Sequence, residues 1–463
     1  MVLSFLFQVL AVLMPQIFSD HMVLQQGRNV PVWGEAAPKE QIVVSLTPEA
    51  GGTAIVRKAR ADAQGAWRVE LPAGKADGTA YVLQVKGRKE TLRFSDVVYG
   101  EVWLCSGQSN MAYEMRRSWQ AAPLKGEDLA TARLSQPADP SVRVFLSVQG
   151  WPGREVKKSW KIADGESLAS ASAVGYFFAK ALADQLGVPV GFISASSGGS
   201  AIAQWLPGGG LGKAMVEPLM PYAIGGILWY QGETDLAQRN PHYLADYEQL
   251  IGFWREGFAS PDAPVYSVML APHTFSDRQH HTSKVTAEAL PLFWQTQLQA
   301  EAAVEPGAAI FISDLVDNLE DIHPSYKWTV GERLARAALS DHYGVEGLGE
   351  CFGPRAESLR TEAGADGDVA RLVVRFSHVG EGLAGRPNSK EPRSTPRLKW
   401  FQVAGADGIW RDALADIVGK DEVAVYHPEI PAPVAVRFAW RETAQPNLFN
   451  SAGLPAYPFV LKK

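Results

Sequence analysis

A serine, a histidine and neighbouring carboxylates, each following a short apolar run, are the residues of this chain whose types suit nucleophilic chemistry. The stretch Gly100-Glu101-Val102-Trp103-Leu104-Cys105-Ser106-Gly107-Gln108-Ser109-Asn110-Met111 begins as a buried strand and switches abruptly to small and amide residues around Ser109. An exposed serine on the sharp turn leaving a strand is how a sheet presents a nucleophile. A serine hydroxyl is a poor nucleophile until an imidazole takes its proton, and a carboxylate must hold that imidazole in the right tautomer. Asp317-Asn318-Leu319-Glu320-Asp321-Ile322-His323-Pro324 supplies both, with His323 as general base and Asp321 as orienting acid. The developing oxyanion needs fixed donors. The N–H of Ser109, the N–H of Gly199 in Ser196-Ser197-Gly198-Gly199-Ser200 and the side-chain amide of Gln231 in Gln231-Gly232-Glu233-Thr234-Asp235 meet that need.

Gln108, Asn110, Glu233 and Trp205 stand beside these groups as substrate-holding candidates. Plainer readings stand next to each. Ser-x-x-Ser after a strand is also ordinary turn chemistry, and the motif lacks the Gly-x-Ser-x-Gly elbow. His323 also reads as a helix-start residue bonded to a local carboxylate, and Glu233 as a solvated or supporting carboxylate. His273, His280 and His281 fall in a polar loop that suits solvent or substrate lining. Cys105 lies inside the apolar run and reads as core rather than nucleophile.

Ligands of an open parallel sheet bind at the carboxyl ends of its strands, so the elements ahead of these residues matter. From 97 to 345, short apolar strands alternate with longer helical patterns, which predicts βαβ units. The strands fall at Val97–Leu104, Val188–Ser194, Gly225–Tyr230, Val265–Ala271 and Ala308–Asp314, about five in all. Helices are expected over Ser172–Leu186 with Gly187 as stop, over Pro241–Phe258 with Asn240 as N-cap, and after Pro324 with Val330, Leu334 and Ala338 buried. Residues 1–96 and 346–463 instead show short alternating runs between Gly, Pro and Asp turns, the pattern of β-sandwich-like flanking domains. The Gly364–Gly367 stretch and the charged Gly385–Arg397 loop read as turns and linkers.

With 463 residues, 46% hydrophobic and 20% charged, the chain has the substance for two or three cores. A formal charge of −6 and the lack of a Lys/Arg-rich run argue against a nucleic-acid partner. Fourteen tryptophans fit a protein that stacks sugars and equally a set of large core residues. Cys105 and Cys351 are too far apart for a disulfide framework or metal-ligand spacing. The apolar Val2–Met14 is too short to span a bilayer and has no basic residue before it; it reads as a signal-peptide core or, in Val9–Phe18, as a first strand.

Gly100–Met111 resembles the first block of the sialate O-acetylesterase family, within the SGNH hydrolases. The likeness continues through Ile17–Gln25, Ala173–Ala179, Val188–Ile193 with Gly198-Gly199-Ser200 and Trp205, Trp229–Glu233, and Asp321–Pro324 with Lys327, Gly331, Arg333 and Leu334. It ends with Ala435–Trp440, Asn447–Asn450 and Gly453–Pro455. The resemblance implies a three-layer αβα catalytic domain at 97–345 between β-domains, hydrolysis of acetyl esters on sugars, no metal or organic cofactor, and an oxyanion hole of Ser109, Gly199 and Gln231. Generic SGNH spacing points to Glu320 as the acid, and the family's Asp-x-His spacing to Asp321.

Three positions depart from the family's pattern: Ser200 stands for a threonine, Asp235 for an asparagine, and Phe293-Trp294-Gln295-Thr296-Gln297 lacks an arginine. The sequence-based expectation is a serine esterase for O-acetylated sialic acid, with an acetyl-xylan or other hemicellulose deacetylase and a non-catalytic carbohydrate-binding protein as alternatives. The sugar would be read by loops such as 112–150 and 272–290. The family's substrates imply a periplasmic or secreted location, and the missing basic start leaves a cytoplasmic one open.

Overall fold

The strand that leads to Ser109 changes partners halfway along its length. The computed structural model describes residues 11–116, 126–149, 157–277, 285–363, 369–386 and 397–463. The strands up to the serine are β1 Val23–Gln25, β2 Val30–Glu35, β3 Gln41–Pro48, β4 Ile55–Arg60, β5 Ala66–Leu71, β6 Ala80–Lys86 and β7 Thr91–Gly107. From Thr91 to Val98, β7 pairs antiparallel with β6; from Val98 to Gly100 it runs parallel to β1. From Glu101 to Gly107 it pairs parallel with β10, Val190–Ser196. Burial follows the partner. The first part is exposed or half-buried, whereas Val97–Gly107 is buried without a break, as a parallel strand covered on both faces must be. The junction drawn at 96/97 therefore lies inside one continuous strand.

The chain divides into two compact units, the first holding the described residues to 116, then 127–229 and 249–265, the second holding 230–248 and those from 266 onward. In the first unit β3 pairs with β4 and β6, and β2 with β5, all antiparallel. Two further strands, β8 Asp139–Leu146 and β9 Trp160–Ala163, extend the sheet beyond β10, so that its order is β11-β7-β10-β8-β9 with β11 Gly226–Tyr230. β8 is parallel to β10, and β9 is antiparallel to β8. The sheet is thus mixed rather than wholly parallel. These two strands fall outside the expected set, and β8 occupies part of the stretch read as a sugar-reading loop. Its apolar run is broken by Arg143, which hides the strand signal. That arginine is buried, donating to the carbonyls of His21 at 3.0 Å and Asp96 at 2.5 Å and to the Asp96 carboxylate at 3.0 Å.

Helix α1, Ala173–Leu186, begins where Ser172 accepts a hydrogen bond from the Gly175 N–H and ends at a left-handed Gly187, as its sequence predicts. It covers one face of the sheet, with Phe178 edge-on to Trp103 at 4.7 Å. Trp103 lies over Gly226, so Trp229, three residues on, points to the other face. There it meets Trp254 at 5.6 Å, from the helix Tyr243–Gly257. Helices on both faces make the αβα layering.

The remaining helices are α2 Glu233–Gln238, α3, which is the Tyr243–Gly257 helix, α4 Ala289–Ala303 and α5 Lys327–Asp341. α3 starts two residues later than expected, because Asn240 accepts from the His242 N–H and closes a turn over Pro241. Strands β12 Val265–Val268 and β13 Gly307–Ile310 are joined onward by the Met269 N–H on Ile310 O at 3.0 Å. Gln297 of α4 accepts from the Leu270 N–H at 3.0 Å, and Trp294 donates to Leu270 O at 2.8 Å. Two four-stranded antiparallel sheets follow, one running from Arg355–Glu362 to Glu422–Tyr426, the other built around Phe401–Ala404 and Ala435–Phe438. Arg355 ties this part down: it bonds Glu301 at 2.7 Å and lies over the Tyr457 ring, whose hydroxyl donates to Ala309 O at 2.6 Å.

His280, His281, residues 1–10 of the apolar N-terminal stretch, Gly364–Gly367 and most of the Gly385–Arg397 loop lie outside the described residues. Among those described, no helix is long and apolar enough to cross a membrane.

Candidate active site

β7 ends at Gly107, whose φ of +137° is open to glycine and lets the chain turn sharply before Ser109. The turn closes with the Ala112 N–H on Gln108 O at 2.8 Å. Its side chains are covered, with Gln108 3%, Ser109 9% and Asn110 1% exposed. The serine is therefore tucked in rather than protruding, in surroundings that strengthen any charge interaction. Cys105, four residues earlier, is fully buried, and burial pushes its thiol far above the usual range. It stays protonated, as its core reading requires.

The Gly199 turn lies next to this one because of strand register. Ser196 of β10 stands opposite Gly107, and the Ser197 N–H donates to Gly107 O at 3.1 Å. Gly199 is exposed with φ +70°, and a Cβ there would touch nothing within 4 Å. Backbone conformation, not crowding, calls for the glycine. Ser200 fastens the turn by donating to Ser197 O at 2.8 Å while accepting from Trp205 Nε1 at 3.0 Å. The hydroxyl that replaces the family's threonine is thus in use. Trp205, expected to face substrate, is 0% exposed and packs edge-on to Trp229. Its indole holds the turn from behind.

In the second unit, Gln231 follows β11 and is completely buried; its Nε2 donates to Asp235 Oδ2 at 2.5 Å, and its carbonyl accepts from Tyr243. Asp235, 1% exposed, also accepts from Asn240 Nδ2 at 2.9 Å, and the same Nδ2 bonds Asp246. The aspartate that departs from the family's pattern therefore fixes the Gln231 amide through one of its N–H groups. Glu233, the first residue of α2, is 4% exposed, so it is no solvated carboxylate.

The residues before α5 form a tight charged group. Asp321 Oδ1 accepts from the His323 N–H at 2.9 Å and lies 3.5 Å from His323 Nδ1. Glu320 is exposed, its N–H donating to Asn318 Oδ1. Lys327 opens α5 at 0% exposure, with Nζ 5.2 Å from the centre of the Tyr230 ring. Burial drives its ammonium down to about 7, opposed by the charge of Glu233 and then of Asp321. Burial also pushes Tyr230 well above the usual phenol range, and Glu233 adds to the rise. Sequence reading assigned Lys327 no role. The available signal was its spacing: with Val330, Gly331 and Leu334 it lies on the buried face of the helix, where a lysine needs a partner.

Among the described residues no group of three or more His, Cys, Asp and Glu is arranged to hold a metal ion. His273 is 1% exposed, edge-on to Phe275, with its N–H on Glu442 O, which makes it part of the packing rather than a solvated loop residue.

Comparison with known proteins bears on what these groups do. Residues 99–340 match the family model described as carbohydrate esterase, sialic acid-specific acetylesterase. Human sialate O-acetylesterase is 29% identical, aligned over 96% of this chain and 91% of its own. The mouse sialate O-acetylesterase is 26% identical over 71% and 73%. A carbohydrate acetylesterase of known structure from Xanthomonas citri is 30% identical, with a TM-score of 0.81, covering 98% of this chain and all of the other.

Proposed function

We propose that this chain, which belongs to the carbohydrate esterase family of sialic acid-specific acetylesterases, removes O-acetyl groups from sialic acid through an acetyl-enzyme intermediate on Ser109. It is a carboxylic ester hydrolase acting on O-acetylated carbohydrates. In the proposed cycle Ser109 Oγ attacks the acetyl carbonyl carbon while His323 takes the hydroxyl proton. The tetrahedral intermediate puts its negative oxygen on the N–H groups of Ser109 and Gly199 and the Gln231 amide. Collapse expels the sugar hydroxyl, which receives the proton from His323. Water then attacks the acetyl-serine with His323 again as base, releasing acetate and restoring Ser109.

The observation that carries the reading is the Asp321–His323 pair, 3.5 Å from carboxylate to Nδ1 while Glu320 faces solvent. A carboxylate on Nδ1 leaves the other ring nitrogen to accept a proton, which is the tautomer a serine base needs. The alignment with human sialate O-acetylesterase over 96% of this chain supports sialic acid as the sugar. A hemicellulose deacetylase with the same machinery is the second reading, supported by the bacterial relative, described as a carbohydrate acetylesterase.

A side-by-side assay of purified protein on O-acetylated sialic acid and acetylated xylan separates the two. Faster acetate release from the sialic acid is expected, and Ser109→Ala should abolish release from both. Preference for xylan would reverse the substrate assignment. Glycan affinity with no turnover would favour a binding protein.

A further inference from the structure

Lys327 is a buried cation at a place that disfavours cations twice over. It is the first residue of α5, where the helix dipole repels positive charge, and its side chain is wholly out of water. A buried ammonium persists only when matched by opposite charge. Two carboxylates act on it, Glu233 at the start of α2 and Asp321 in the loop before α5; the third titratable neighbour, Tyr230 at the end of β11, offers a ring face. Tyr230 Oη has no hydrogen-bond partner among the described residues, and burial keeps it a neutral phenol. Asp321 is also the group beside His323 Nδ1.

The charge count gives the arrangement its meaning. Below the pH near 7 at which Lys327 gives up its proton, with both carboxylates ionised, the cluster carries a net charge of −1, which the imidazolium formed on His323 would neutralise. Without the lysine, the charge of Glu233 would go unanswered in the cluster that holds Asp321, and the added negative charge would favour the protonated imidazole. Lys327 also answers charge from two separate places in the chain, the start of α2 and the loop preceding α5.

We propose that Lys327 is a positioning residue of the esterase: its ammonium neutralises Glu233, aims the Asp321 carboxylate at His323, and so sets the basicity of the imidazole. This rests on the reading of His323 as general base.

The test is the acid limb of the pH profile of kcat/KM for an aryl acetate, measured on wild type, Lys327→Met, and Lys327→Met combined with Glu233→Gln. Removing the cation raises the net negative charge beside His323 from −1 to −2, so the imidazolium is favoured and the limb should move to higher pH by roughly one unit. The double variant restores −1, so its limb should return to the wild-type position even if its overall rate is lower. A lysine that only fills space would lower the rate at every pH without moving the limb. An unmoved limb in Lys327→Met, or a displaced limb that Glu233→Gln fails to bring back, overturns the proposal. If Lys327→Met fails to fold, the double variant, which buries no unmatched charge, still decides: a limb more than half a unit from wild type counts against it. Ser109→Ala run in parallel keeps the two readings apart, since hydrolysis surviving in that variant sinks the general-base assignment, whereas an unmoved limb sinks only the role of Lys327.

Discussion

The turn that carries Ser109 and the loop that carries His323 are built by opposite means. Around Ser109 the structure relies on backbone: a glycine at φ +137°, register with β10, and a second glycine turn buttressed by Ser200 and Trp205. The nearest thiol, Cys105, is held neutral by burial. Beside His323 the structure relies on charge: Asp321, which with Glu233 also acts on the wholly buried Lys327. Gln231 is held by another carboxylate, Asp235. One region is shaped by backbone and neutral groups, and the other by ionisable side chains. That division suits acyl transfer, in which the oxyanion needs rigid N–H groups and the base needs a tuned imidazole.

Changes on the charged side should cost the most. His323→Ala is expected to lower kcat for an aryl acetate by roughly 10⁴-fold or more. A loss below about tenfold would show that the proton is handled elsewhere. Asp321→Asn should cost roughly 10² to 10⁴-fold, by spoiling the imidazole tautomer, while Glu320→Gln should leave the rate within about twofold. The reverse ranking would move the orienting acid to Glu320. Gln231→Ala removes one donor and should cost about 10² to 10³-fold in kcat with little change in KM. A change confined to KM would make Gln231 a ground-state contact instead.

The smallest effect is expected on the backbone side. Trp205→Phe deletes the bond to Ser200 but keeps the buried ring, so denaturant unfolding should show a loss of about 1 kcal/mol and activity should fall less than for Gln231→Ala. If this variant were as inactive as His323→Ala, the tryptophan would belong to the substrate after all.

The same contrast explains what the sequence disclosed. Elements set by local rules were legible: Ser172 and Gly187 bound α1, and the five expected strands all form. The placement of Ser109 and Gly199 just beyond strand ends was legible too, since glycines and serines there are local signals. What escaped was long-range. Strand β8 was masked by Arg143, whose carboxylate partner Asp96 lies 47 residues away. Trp205 read as a substrate-holding candidate because its partners, Ser200 and Trp229, become visible only through packing. Lys327 gave a signal in its helical spacing, yet its partners come from Glu233, far along the chain, and from a loop whose path no periodicity describes. Asp235 read as a departure from the family and is the residue that fixes the Gln231 amide.

Covalent labelling can show whether Ser109 is the nucleophile. The protein would be treated with an organophosphonate that phosphonylates activated serines, digested, and mapped by mass spectrometry. One adduct is expected, on the peptide carrying Ser109, with prior incubation in O-acetylated substrate slowing its appearance and His323→Ala suppressing it. An adduct on Ser197, Ser200 or another serine, or no adduct in a preparation that hydrolyses acetyl esters, would contradict it.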